Sequence, residues 1–475
     1  LAMTAYLASL VRSKPITSYT DEARQNDGRG LTRSLSLFHL MMIGVGSTIG
    51  TGIFVALTTA VPEAGPAVTL SFVIAGIAAT LTALCYAELA SVVPAAGSSY
   101  SYAYATLGEL PAFLIGACLV LEYGVAASAV AVGWGQYLNE LFLMTTGWHI
   151  PDALAQPPGA GGIVNLPAVM LVGLCLVLLL KGTSESAKTN SILVMAKLAV
   201  LALFVGIALM HADPANLHPF APRGMAGIGA AASSIFFSYV GIDTIATAGE
   251  EVENPHRTLP LAIMGALAIV TVTYMLVAIS AVGAQPWTKF AGQDAGLAVI
   301  LHNVTGAQWP AIVLSMGAVA SIMSVTLMCI FGQTRILYAM SKDGLLPAVF
   351  HKVDARRHVP RENSWIVSIF VALLAAFVPL DALVNATSMG TLVAFCAVSA
   401  GVIILRRSRP DLVRGYGVPL YPVLPVASVG ICLFLISQLP RDTFVIFAVW
   451  LAAAALIYVA YSHRSSILAR RHDAP

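Results

Sequence analysis

Apolar residues in this chain fall in long unbroken stretches. They show neither the strict alternation of a half-buried strand nor the one-sided stripe of a surface helix. A helix that crosses the hydrocarbon core needs about 20 mostly apolar residues. Twelve stretches meet that length, near 38–62, 66–92, 110–143, 163–181, 188–210, 226–250, 258–283, 307–340, 363–379, 383–405, 420–438 and 442–462. Numbered in order, they predict spans 1–12 of an all-α membrane protein. Spans 3 and 8 are long enough to tilt strongly or to project from the bilayer. No stretch between spans is long enough to form a separate domain, and a buried soluble core has no use for so many long apolar helices.

Two places interrupt this pattern at matching points. One is Gly44-Val45-Gly46-Ser47-Thr48-Ile49-Gly50-Thr51-Gly52 in span 1; the other is Ser238-Tyr239-Val240-Gly241-Ile242-Asp243 in span 6. Glycine is a poor residue for a helix interior, so each run predicts a point where a spanning helix unwinds. The broken spans head two successive sets of five. With the N-terminus on the inner side, span 1 runs outward and span 6 inward. Spans 1–5 and 6–10 are therefore expected to form an inverted repeat, with spans 11 and 12 appended. Broken helices paired in this way point to the substrate site of a secondary transporter.

Rival readings of the first run are weaker. Gly46-xxx-Gly50 also fits a small-residue packing seam, but the matching break in span 6 favours a site. The run reads GxGxxxG, one residue too long for a dinucleotide loop, and no strand precedes it. There is no GxxxxGK[ST] to support ATP-driven pumping, and neither HExxH nor GxSxG to suggest an enzyme. No catalytic residues and no cofactor are expected.

Composition agrees with the pattern. The chain is 58% hydrophobic and 10% charged, with a mean hydropathy of +0.83. A net charge of +2 gives no bulk attraction to nucleic acid. The six cysteines, Cys85, Cys118, Cys175, Cys329, Cys396 and Cys432, lie in apolar runs without a CxxC pair; they read as small buried hydrophobes, and no metal site is expected. Residues 1–36 carry Arg12, Lys14, Arg24, Arg29 and Arg33 with no removable apolar segment, so the first span is expected to direct insertion. Under the alternating topology, 21 of the 25 lysines and arginines fall on the inner side and 3 on the outer, with Lys197 inside a span. That asymmetry places both termini of a multi-pass membrane protein on the inner, cytoplasmic side. The expected parts are a cytoplasmic N-terminal segment at 1–36, a ten-helix transport core at 37–406, helices 11–12 at 407–463 and a cytoplasmic tail at 464–475.

At a break, the new half-helix presents free N–H groups and positive dipole, which suit a carboxylate. The preceding half ends in carbonyls, which suit an ammonium. Two such gaps can grip both ends of an α-amino acid without a charged side chain. The carboxylate is expected on the N–H groups of Gly50, Thr51 and Gly52, assisted by the Thr51 hydroxyl. The ammonium is expected on the carbonyls of Thr48, Phe237, Ser238 and Val240, with Ile49 and Ile242 beside them. Phe237 is bulky enough to close over the substrate as a gate.

Ionisable groups within a span are costly and read first as functional. Lys197 lies nine residues past Lys188, about 14 Å into the bilayer. Glu122 lies twelve residues past Leu110, about 18 Å deep, so the two can meet directly or through water. Two roles for Lys197 stay open: exchanging a proton during transport, or acting as a permanently charged strut that locks span 5 to spans 1 and 8, with Ser321 and Ser324 as acceptors. Asp243 can tie the unwound backbone, contact substrate or face water. Glu88 reads as structural.

Several motifs in fixed order resemble the amino acid–polyamine–organocation (APC) superfamily. They are Thr48-Ile49-Gly50-Thr51-Gly52-Ile53-Phe54; Tyr86-Ala87-Glu88-Leu89 with Pro94 and Gly97; Glu250-Glu251-Val252-Glu253-Asn254-Pro255-His256-Arg257; Tyr338-Ala339-Met340-Ser341-Lys342-Asp343-Gly344; and Pro410-Asp411-Leu412 with Pro419, Pro422 and Pro425. The likeness covers residues 31–463. Arg12-Ser13-Lys14-Pro15-Ile16 and Glu122-Tyr123-Gly124 resemble the bacterial relatives of the cationic amino acid transporters. The resemblance implies a LeuT-type five-plus-five fold and alternating access. It also implies that Lys197 stands where sodium-coupled relatives hold an ion, so that a proton replaces sodium. Met328 on span 8 is implied to border the side-chain pocket, where the cationic transporters carry something smaller. Methionine fills the space a guanidinium tail needs and offers it no hydrogen bonds. The family's tryptophan after the span 3 glycine is absent from Gly116-Ala117-Cys118.

The expected function is proton-coupled uptake of small neutral amino acids such as alanine. Rival readings are an exchanger or uniporter of cationic amino acids or polyamines, and a sensor that binds an amino acid without moving it. The expected partners are free amino acid, proton and membrane lipid; a small membrane accessory subunit is compatible with the chain but not specified by it.

Overall fold

Long runs of leucine, alanine and valine become helices here because a helix satisfies its own backbone polar groups wherever water is absent. The computed structural model describes residues 12–15, 36–93, 98–181, 187–247, 255–354, 359–412 and 414–472, and among these there are helices and no strands. Among the described residues, seven helical stretches are long and apolar enough to cross a membrane: Gly52–Val92, Glu109–Thr146, Ser191–Met210, Arg257–Ala284, Trp309–Lys342, Leu380–Ser408 and Arg441–Ser465. Shorter apolar helices are Leu37–Thr48, Leu166–Lys181, Gly296–Thr305 and Val423–Ser437. Proline stands immediately before the helices Arg361–Phe377, Leu380–Ser408 and Arg441–Ile457, where its missing N–H costs no hydrogen bond.

Most described apolar helices overlap the predicted stretches, and span numbers are kept for them below; Ser98–Thr106 and Gly296–Thr305 are helices the hydropathy pattern did not predict. Span 1 is two helices, Leu37–Thr48 (half 1a) and Thr51–Ala64 (half 1b). Span 6 is also divided. Half 6a, Gly224–Ile235, tightens into a 3₁₀ turn over Phe236–Tyr239, and a short helix resumes at Thr244–Thr247. Span 3 is continuous but carries a π turn, Val120–Val125, between α-helical stretches Glu109–Leu119 and Ala126–Thr146. Turns of this kind widen a helix locally and recur at functional positions. Spans 5, 7 and 8 are Ala187–Met210, Pro255–Ala284 and Trp309–Lys342.

Half 1a lies against spans 5 and 7, half 1b against half 6a, and span 8 along span 3. Both broken helices therefore sit inside the bundle, and the π turn faces spans 8 and 10. Tyr86, Phe236 and Phe395 meet edge-to-face near the second break, which fixes the ring of Phe236 against span 10.

Two polar knots hold the bundle at one end. Glu88 is 1% exposed and accepts from Arg406 Nε at 2.7 Å, Arg406 Nη2 at 2.5 Å and the Val418 N–H at 2.7 Å. This bears out its structural reading. In the second knot, Asp343 accepts from Lys14 Nζ at 3.1 Å and from the Tyr100 hydroxyl at 2.8 Å, while the Lys14 N–H donates to the Tyr104 carbonyl at 3.1 Å. The Arg12–Pro15 stretch is thereby docked on the helix Ser98–Thr106 and the end of span 8.

Candidate functional site: two facing helix breaks

Half 1a ends at Thr48, Ile49 turns extended (φ −75°, ψ 95°), and Gly50 precedes half 1b with φ −148° and ψ −135°. Thr51, Gly52 and Ile53 thus open a helix, and their N–H groups have no acceptor on that helix. No side chain caps this end. The side chain of Thr51 lies outside the described residues, so the expected part of its hydroxyl is not placed.

The second break mirrors the first. After the 3₁₀ turn the backbone leaves helical geometry at Val240 (φ −59°, ψ 138°), and Gly241 takes φ +99°. A side chain on Gly241 would meet both that left-handed conformation and the Ser47 carbonyl at 2.7 Å, so glycine is required there. The Phe237 carbonyl accepts from the Val240 N–H at 3.2 Å, and the Gly241 carbonyl from the Thr244 N–H at 3.1 Å.

The two breaks touch. A Cβ built on Gly52 would stand 2.5 Å from Ser238 Cα, so the N-terminus of half 1b passes directly over the 3₁₀ turn of span 6. Ser47 Oγ lies 2.9 Å from the Gly241 carbonyl and 2.7 Å from Thr244 Oγ1, and also 2.9 and 3.1 Å from the carbonyls of Ile43 and Gly44. Thr48, Ile49, Gly50, Phe237, Ser238, Val240 and Ile242 are all buried. Val325 of span 8 lies against Gly50, and Met328, half-buried, follows three residues on along the same helix side. Predicted site residues of spans 1 and 6 thus lie together, with Val325 of span 8 against Gly50.

Lys197 is 3% exposed. Its ammonium donates to the Gly46 carbonyl at 3.0 Å and reaches Ser324 Oγ at 3.4 Å. It joins span 5 to half 1a, two residues before that half ends, and to span 8. Of the two serines expected to receive it, Ser324 does. Glu122 stands apart from this contact. It is fully buried in the π turn, and neither carboxylate oxygen has a hydrogen-bond partner. Glu122 therefore makes no direct hydrogen bond to Lys197, and the Asp243 carboxylate is near enough to act on it electrostatically. Equal depth, which sequence supplies, does not fix which way a side chain points around an apolar helix.

Asp243 ties the unwound backbone to its neighbours. One carboxylate oxygen accepts from the Tyr123 hydroxyl and from Ser98 Oγ at 2.8 Å; the other has no hydrogen-bond partner. Sequence reading did not find Tyr123, Ser98 or Tyr274, whose hydroxyl reaches both breaks. A tyrosine within an apolar helix looks like core, and nothing in its own segment marks the partner. Of the sequence motifs, Pro94, Gly97 and residues 250–254 lie outside the described residues, as do residues 1–11 and 16–35.

Apolar helices, two of them broken at points that face each other, are the build of a multi-pass membrane permease. A family profile described as amino acid permease matches residues 35–461, and the chain belongs to that family. The motif resemblance therefore holds. The chain is 41% identical to the methylthioribose transporter of Bacillus subtilis, over 97% of this chain and 100% of that protein. It is also 41% identical to the branched-chain amino acid permease BcaP of the same organism, over 97% and 99%. With the vacuolar cationic amino acid transporter 4 of Arabidopsis thaliana it shares 38% identity, over 87% of this chain and 68% of that one. The family and these relatives are permeases and transporters, not enzymes.

Proposed function

We propose that the chain carries small neutral amino acids across a bacterial inner membrane by alternating access, with a proton as the coupling ion. The observation that supports this most is the direct opposition of the two breaks, Gly52 over Ser238 and Ser47 on Gly241. Free amides at the start of half 1b receive the carboxylate. Carbonyls of Thr48, Phe237, Ser238 and Val240 receive the ammonium. Phe237, 4% exposed beside the second break, is the gate.

The layout proposed for this cycle is twelve spans, with 1–5 and 6–10 as inverted LeuT-type repeats and 11–12 appended. Both termini lie in the cytoplasm, where residues 1–36 and 464–475 belong. The transport core is 37–406, and helices 11–12 occupy 407–463. Membrane lipid surrounds the bundle, and a small accessory subunit is a compatible further partner.

Lys197 is proposed as the coupling group. Its ammonium holds the end of half 1a through Gly46; deprotonation would release that hold and let the half-helix move. Glu122 then acts separately, beside Asp243, rather than as the counter-ion of Lys197.

The relatives named above carry different cargoes in their names, so cargo is argued here from the pocket. Met328 narrows the side-chain end and offers a long cationic tail no acceptor. The 38% identity to a cationic transporter keeps the exchange of arginine-like substrates as a second reading. Uptake of labelled alanine into proteoliposomes, with and without an inward proton gradient, tests the proposal. Gradient-driven accumulation, competed by small neutral amino acids and weakly by arginine, is expected. Uptake that ignores the gradient removes the coupling, and tighter binding of arginine than alanine removes the pocket argument.

A further inference from the structure

Tyr137, in the last part of span 3, is fully buried. Its hydroxyl donates to the Phe54 carbonyl of half 1b at 2.9 Å, and the two rings meet edge-to-face with centroids 5.6 Å apart and planes at 78°. The main-chain N–H of Leu297 faces the same oxygen. A phenol donates one hydrogen and can accept another, so it serves both neighbours at once. One side chain thus stands between half 1b and the first turn of the helix Gly296–Thr305.

That helix, in the connection between spans 7 and 8, packs on half 1b and on spans 5, 7 and 8. Leu297, Ala298, Ile300 and Leu301 are its buried side. A Cβ built on Gly296 would stand 2.6 Å from Thr58 Cγ2, so the helix lies directly on half 1b. The chain just ahead of it is held by the neighbour of Tyr137. Asp294 accepts from Gln136 Nε2 at 2.7 Å and, through its other oxygen, from Gln156 Nε2 at 2.8 Å. These two bonds are exposed to water, whereas the Tyr137 bond is buried.

We infer that Tyr137 is a positioning residue that latches the outer face shut, joining span 3 to half 1b beneath the helix Gly296–Thr305, with Asp294 as a weaker, water-exposed second catch. This rests on the proposed layout, which puts these segments on the outer side, and on alternating access. It goes beyond them in naming the bonds that break before substrate enters. Outward opening carries half 1b away from span 3, and the Tyr137–Phe54 bond exists only while the two are together. Once they part, both groups turn to water, so the bond favours the closed state without touching substrate.

The test is the rate at which a water-soluble maleimide modifies Thr58→Cys in the full chain, in lipid nanodiscs that leave both faces open. Thr58 is half-buried under Gly296, so the new thiol reacts when the helix lifts. The chain without this substitution gives the background from its own six cysteines. Tyr137→Phe keeps the ring and removes the hydroxyl. It is expected to speed modification at position 58 about fivefold, the worth of one hydrogen bond in the ratio of open to closed protein. Ile43→Cys, half-buried on half 1a, is the companion probe for the inner face. Outer opening excludes inner opening under alternating access, so the rate at position 43 is expected not to rise. Acceleration at both positions is general loosening and overturns the inference, as does an unchanged rate at position 58. Asp294→Ala alters only an exposed side chain and carries the test if the Tyr137→Phe protein does not fold. It is expected to raise the rate at position 58 about twofold, and in that case no change overturns the inference. Reagent added to intact cells should also reach Thr58→Cys. A thiol that reacts only after the cells are opened is a different failure, that of the proposed layout.

Discussion

The Lys197 ammonium lies 3.0 Å from the Gly46 carbonyl, so a charge on span 5 holds the segment of span 1 that leads into its break. Strut and proton carrier predict the same contact but different chemistry. Arginine keeps a positive charge at all working pH values, whereas a buried lysine can release its proton. In Lys197→Arg, gradient-driven alanine accumulation is expected to fall to the level of gradient-free uptake, while counterflow exchange persists. Accumulation at the wild-type level in proteoliposomes would leave Lys197 as a strut.

The pocket wall at Met328 gives a second prediction. Met328→Ser opens space and adds a hydroxyl where a guanidinium tail would end. Arginine is expected to compete with labelled alanine about fivefold more strongly than in the wild type, the worth of about one hydrogen bond. Inhibition curves with the two proteins measure it. No change would place the side-chain end of the substrate elsewhere.

Gly241 combines φ +99° with the Ser47 carbonyl 2.7 Å from a would-be Cβ. Gly241→Ala is expected to cost about 1–3 kcal/mol of stability and to displace the second break. Thermal unfolding in detergent should show a lowered midpoint, and substrate should no longer raise it. Ala at Gly173, where nothing lies within 4 Å, is the control and should leave both properties unchanged.

Glu88, 1% exposed, takes Nε and Nη2 of Arg406, whose side chain is 20% exposed, together with the Val418 N–H. Glu88→Gln leaves Arg406 short of its counter-charge and, since Arg406 keeps partial contact with solvent, is expected to destabilise by about 1–3 kcal/mol, read as a loss of folded protein on size exclusion after heating. Removing this anchor should not alter the substrate preference of whatever protein remains folded.

Much of this arrangement was legible in the residues. Glycines at 46, 50 and 52 and at 241 marked both breaks, because a helix interior otherwise avoids them. Lys197 declared itself by lying far from any interface. What stayed hidden were the contacts across the bundle. Spans 3, 5 and 7 are apolar nearly all round, so no stripe reveals which side of Glu122, Lys197 or Tyr274 faces a neighbour. The equal depths of Lys197 and Glu122 suggested a pair, yet rotation about the helix axis sends one to Gly46 and the other toward Asp243. The π turn at 120–125 was equally silent, since one widened turn leaves the hydrophobic pattern unchanged.

Ser47 carries one hydroxyl hydrogen and has four oxygens within 3.1 Å, two on its own helix and two on the opposite break. Whichever it chooses, the donor is never stranded. Under the proposed alternating access, the two breaks can shift against one another while this hydroxyl trades one acceptor for the next.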